Sequence, residues 1–64
     1  MSTDPLYAPP AVAERCGLTV QALALMRHEG NGPTYIKLGR RVRYRMSDVE
    51  AWLDANTVTT GDAA

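Results

Sequence analysis

Three breaks constrain this chain more than any other feature. They are Gly17, the stretch Gly30-Asn31-Gly32-Pro33, and the pair Gly39-Arg40. Between them fit two short helices, a tight hairpin and one last helix, because glycine and proline end regular structure at each point. The chain has 64 residues, so one small domain is the limit. A domain of this size buries only about 60% of its unfolded surface and cannot build a deep cleft between subdomains. With no Phe, one Trp and three Tyr, a few aliphatic residues and Trp52 are expected to carry the core.

The first helix is expected to open at the double proline. Pro10 suits the first turn, where its missing N–H is not needed, and Pro9 is expected just outside, pushed towards extended geometry by the proline that follows. Val12 and Cys16 then share one face, and Gly17 supplies a left-handed stop. The second helix follows at once. Thr19 is its expected N-cap, with the hydroxyl accepting from the N–H of Gln21 or Ala22. Val20 to His28 is rich in helix formers, with Leu18, Leu23 and Met26 as the inward stripe. Gln21, Ala24, Leu25 and His28 fall on other sides of that helix. Two short helices joined by Cys16-Gly17-Leu18-Thr19 fit a helix-turn-helix.

A hairpin is expected next. Tyr35 to Leu38 alternate, Gly39-Arg40 makes a two-residue turn with glycine first, and Arg41 to Arg45 alternate again. The period of two puts Val42 and Tyr44 on an inner face with Ile36 and Leu38 across from them. Arg41, Arg43, Arg45 and Lys37 then share the other face, with Arg40 at the tip. The last helix is expected to begin with a capping box, Ser47-Asp48-Val49-Glu50. Val49, Trp52 and Leu53 repeat at i, i+3 and i+4 and should bury. Asn56 onward and residues 1–4 are expected to be flexible termini, which leaves 5–55 as the folded unit.

The formal charge is zero, and it is a cancellation. Residues 1–26 sum to −1 from Asp4, Glu14 and Arg15. Residues 27–45 sum to +5, from Arg27, Lys37, Arg40, Arg41, Arg43 and Arg45 against Glu29. Residues 46–64 sum to −4 from Asp48, Glu50, Asp54 and Asp62. Five cations on one side and the tip of a small ribbon repel one another, and a polyanion partner explains them better than folding does.

Other functions find no support in the sequence. A single Cys and a single His exclude an internal disulfide and the usual metal clusters. Gly30-x-Gly32 has no strand before it, so it makes no dinucleotide loop. No nucleophile has a neighbouring base. The chain is therefore expected to be no enzyme, to bind no metal, cofactor or small-molecule substrate, and to cross no membrane. The reducing cytoplasm is the expected compartment.

Helix, turn, helix, basic hairpin and capped helix make an α+β winged helix-turn-helix, with a two-stranded wing and a third helix. The sequence resembles the small excisionase-like and AlpA-like regulators, related to the DNA-binding domain of the MerR superfamily. The resemblance runs from residue 6 to residue 54. It rests on Leu6-Tyr7, Val12-Ala13-Glu14, Cys16-Gly17-Leu18, Thr19 and Arg27-His28-Glu29-Gly30, and above all on Pro33 to Leu53. Where the family often has polar residues in its second helix, this chain has Val20, Ala24 and Leu25.

The resemblance implies binding to double-stranded DNA, with the second helix entering a major groove. Thr19 and the free N–H groups would meet a phosphate. Gln21 would pair with adenine, Val20 and Ala24 would touch thymine methyls, and Arg27 would reach a phosphate or guanine. In the wing, Arg40, Arg41 and Arg43 would follow the backbone or enter a minor groove, with Lys37 and Arg45 on the backbone. One such module has few base contacts, so cooperative binding at adjacent sites with DNA bending is expected. In excisionases this steers a site-specific integrase towards excision in a bacterial or phage-infected cell. The alternative is a small transcriptional regulator of a phage or mobile element, and the lack of an attached effector segment favours the first.

Overall fold

The computed structural model describes residues 4–60. The remainder of the expected flexible termini, 1–3 and 61–64, lies outside the described residues. In order, the elements are β1 (Leu6–Tyr7), α1 (Pro9–Cys16), α2 (Val20–Glu29), β2 (Ile36–Leu38), β3 (Arg41–Arg45) and α3 (Met46–Ala55). The three strands form one antiparallel sheet in the order β1-β3-β2. The hairpin is therefore not two-stranded alone: Leu6 and Tyr7 pair with Arg45 and Tyr44 and tie the start of the chain to the wing.

α1 starts one residue earlier than expected. Ala8 is its N-cap, held extended at ψ 158°, and Pro9 takes the first helical position. The residue driven into extended geometry by a following proline is Ala8, and two prolines in the first turn forfeit no helical hydrogen bond. Gly17 then turns left-handed at φ 70°, and its N–H and that of Leu18 bond back to the carbonyls of Glu14 and Ala13. Thr19 caps α2 as expected, its Oγ1 accepting from the N–H of Ala22 at 3.0 Å. The two helices are thus joined by a turn of defined hand.

The register of the wing corrects the expected faces. Leu38 and Arg41 flank the two-residue turn and are cross-strand partners; Lys37 pairs with Val42 and Ile36 with Arg43. Directly opposed residues project to one face. Lys37 therefore shares the face of Val42 and Tyr44, while Ile36 and Leu38 share the face of Arg41 and Arg43. Gly39 makes the turn at φ 63°, a conformation costly for any residue with a Cβ.

The core also differs in its aromatic member. Val12, Ala13, Leu23, Tyr44 and Val49 are buried, with Tyr7, Cys16, Leu18, Met26, Val42, Met46 and Leu53 packed around them. Tyr44 is fully buried on β3, whereas Trp52 is only half-buried on the flank of α3. The sheet delivers Tyr44 to the point where α1, α2 and α3 converge. Full burial of Val12, Leu23, Tyr44 and Val49 contributes roughly 1.5–3 kcal/mol each.

α3 does not use the expected capping box. β3 passes into it without a linker, Arg45 is the N-cap, and no side chain caps the end. Ser47 Oγ instead donates to the carboxylate of Asp4, and Arg45 pairs with Asp48 at 3.4 Å. Glu50 is taken by Arg15 of α1, whose Nε and Nη2 each donate to it at 2.7 Å. Both partners are nearly half exposed, so this bridge contributes at most about 1 kcal/mol. Beyond the helix, Asn56 Nδ2 and Thr57 Oγ1 donate to the carbonyls of Trp52 and Leu53.

Candidate nucleic-acid interface

α2 turns Leu23 and Met26 inward, so its outer side consists of Gln21, Ala24, Leu25 and His28, all exposed. Val20 lies at the edge of this strip, 40% exposed. The strip starts at the helix N-terminus, where the first N–H groups have no helical partner. Thr19 engages Ala22 through a lone pair of its hydroxyl, which leaves the hydroxyl free to donate.

Arg27 leaves the strip and reaches towards the wing. Its Nη1 donates to Tyr44 Oη at 2.8 Å, and its guanidinium carbon lies 5.9 Å from the Tyr35 ring centroid. The Tyr35 and Tyr44 rings are 6.3 Å apart and tilted by 54°. Together these three side chains lock the end of α2 to the sheet. Beside them, Arg27, Thr34, Tyr35 and the turn Gly30–Pro33 line an open cleft of about 280 Å³.

The expected wing cations divide into two sets. Lys37, Arg40 and Arg41 are exposed and have no ion-pair or hydrogen-bond partner among the described residues. Arg43 and Arg45 are half-buried: Arg43 Nη1 donates to the carbonyl of Val42 at 2.7 Å, and Arg45 holds Asp48. Of the free cations, Arg40 and Arg41 stand at the tip of the hairpin and Lys37 on the other face of β2. An unpaired cation keeps its full charge for a polyanion, while Arg45 has part of its own offset by Asp48.

The sequence puts Leu25 off the inward stripe with Gln21, Ala24 and His28 but gives it no contact, and in the fold it is exposed on the outward strip. Its position four residues after Gln21 was the available signal, since residues four apart share a helix face. The role of Tyr44 and Tyr35 in holding Arg27 carried no local signal, because the three come together only in the folded chain.

Among the described residues no helix is long and apolar enough to cross a membrane. No curated protein sequence matches the chain significantly. A family model described as a helix-turn-helix domain matches residues 6–57, which takes in every element of the fold from β1 to α3. A helix-turn-helix, with its second helix in the major groove, is one of the arrangements by which proteins bind DNA. The chain belongs to the helix-turn-helix domain family, whose members bind DNA sequence-specifically.

Proposed function

We propose that the protein is an excisionase-type recombination directionality factor, which binds tandem sites on double-stranded DNA cooperatively, bends them and promotes excision by a site-specific integrase. The observation that carries this reading is an imbalance in the interface. The wing holds three cations without partners among the described residues, Arg40 and Arg41 at the tip and Lys37 on the other face of the ribbon, while the outward strip of α2 holds only two polar side chains, Gln21 and His28. Phosphate contacts supply affinity without sequence information, and base contacts supply specificity. A module so weighted selects its target by repetition and DNA shape, which suits an architectural role in a bacterial or phage-infected cell.

In this reading Thr19 and the α2 N-terminus take a phosphate, and Gln21 reads an adenine. Arg40 and Arg41 lie along the backbone or enter the minor groove, with Lys37, Arg43 and Arg45 beside them. Arg27 has one nitrogen committed to Tyr44, which favours a phosphate contact over a two-pronged hold on guanine. A small transcriptional regulator would use the same surfaces.

Footprinting on attachment-site DNA, with and without the cognate integrase, separates the two. Stepwise protection of adjacent sites together with stimulated excision is expected; occupancy of a promoter with no effect on excision would make the protein a regulator instead.

A further inference from the structure

The outward strip of α2 has an unusual composition for a surface that reads base edges. Leu25 is 55% exposed and Val20 is 40% exposed. Ala24 lies between them, and no Arg or Lys stands on the strip, since Arg27 is turned to Tyr44 and Tyr35. In a domain with five buried hydrophobic residues among those described, a large aliphatic side chain left in water is stability forgone, and it faces away from the protein's own core.

We propose that Leu25 is a specificity-determining residue that reads the 5-methyl group of a pyrimidine in the major groove. The inference rests on α2 being the helix that enters that groove. The strip has no donor pair suited to guanine, so it cannot recognise G·C pairs by the commonest specific contact. Thymine, in contrast, presents a methyl group to the major groove, and apolar side chains are its natural contact. Gln21 and Leu25 are four residues apart, about 6 Å along the helix axis. Base pairs stack about 3.4 Å apart. The two side chains therefore address positions about two base pairs apart: an adenine at one and a methylated pyrimidine at the other. 5-Methylcytosine carries the same methyl group in the same place, so it substitutes for thymine at the Leu25 position, and unmodified cytosine does not.

The test begins with the preferred duplex selected from random DNA by the full chain. Each thymine is then replaced singly by deoxyuridine, which lacks only the methyl group. One replacement within about two base pairs of the adenine sensitive to Gln21→Ala is expected to weaken binding about fourfold, the effect of losing one buried methyl. Leu25→Ala is expected to bind the thymine and deoxyuridine duplexes equally, with unchanged affinity for non-specific DNA. The thymine-to-deoxyuridine ratio is measured within each protein, so it does not depend on equal folding of the two. Uniform indifference to deoxyuridine overturns the inference, as does a Leu25→Ala variant that still discriminates. If Leu25→Ala changes self-association in sedimentation and leaves the ratio intact, the strip is a protein contact and the inference also fails. A sound thymine-to-deoxyuridine ratio with no stimulation of excision would leave the Leu25 assignment standing and overturn the recombination role.

Discussion

Arg27 Nη1 donates to the hydroxyl of Tyr44 at 2.8 Å, so a side chain from α2 is held by the most deeply buried aromatic ring of the core. The contact ties the end of α2 to the core. Its hydroxyl is also the only polar atom of the Tyr44 ring, and Arg27 satisfies it.

Replacing Tyr44 with Phe keeps the ring and removes that partner. The expected loss is about 1–2 kcal/mol, because a bond to a charged group is given up while Arg27 regains water. Urea denaturation followed by circular dichroism measures it. An unchanged midpoint would show that the hydroxyl is not needed to hold Arg27.

Leu23 is fully buried at the meeting point of the helices. Leu23→Ala is expected to cost about 2–5 kcal/mol, through lost apolar contact and the cavity left behind. That is comparable to the whole stability of a domain of this size, so the variant should be largely unfolded at 25 °C by circular dichroism.

Arg40 and Arg41 stand at the wing tip without partners among the described residues. Replacing either with Ala is expected to weaken binding to every duplex alike and to reduce the slope of log K against log salt by about 1. Fluorescence anisotropy across a salt series gives the slope directly, and no change would remove the wing tip from the interface.

Gln21 is the amide on the outward strip. Gln21→Ala should flatten the preference among sequences at one position, by about 1–3 kcal/mol, and leave non-specific affinity in place. Competition between the selected duplex and single-base variants reads this out; an equal loss on all duplexes would give Gln21 a positioning role.

Burial pushes the Cys16 thiol above its usual value of 9.0; the Arg15 guanidinium pulls it back, and Glu50 adds a smaller upward push. A raised folded value means that the native state holds the proton more tightly than the unfolded chain. Its contribution to stability is therefore complete below about pH 9 and is lost as pH rises through the folded value. Stability measured from pH 8 to 10.5 should fall, and Cys16→Ala should lessen that fall. Equal pH profiles would rule out Cys16 as its source.

Elements set by local chemistry were legible in the sequence. Gly17 and Thr19 defined the turn between α1 and α2 because each acts within four residues of itself. Gly39 did the same for the wing. What escaped was decided at a distance. β1 has only two residues and no period of its own, and exists because β3 offers Leu6 and Tyr7 an edge. Ser47 and Glu50 would cap α3 if left alone, but Asp4 and Arg15, far away in sequence, claim them. Trp52 has the spacing of a core residue, and Tyr44 takes the centre because β3 carries it deeper. Of the candidate interface, the cations and Gln21 were singled out by residue type. The division of those cations into free and paired sets required the fold.

The junction at Arg45 has one more consequence. A strand that becomes a helix within a single residue has no hinge, so the hairpin cannot swing independently of α3. With β1 paired to the other side of β3, the hairpin is held between the start of the chain and α3. On the proposed reading, a wing held in this way leaves more of the accommodation to the duplex, so targets that bend easily at the required place are expected to be favoured over stiff ones with identical contacted bases.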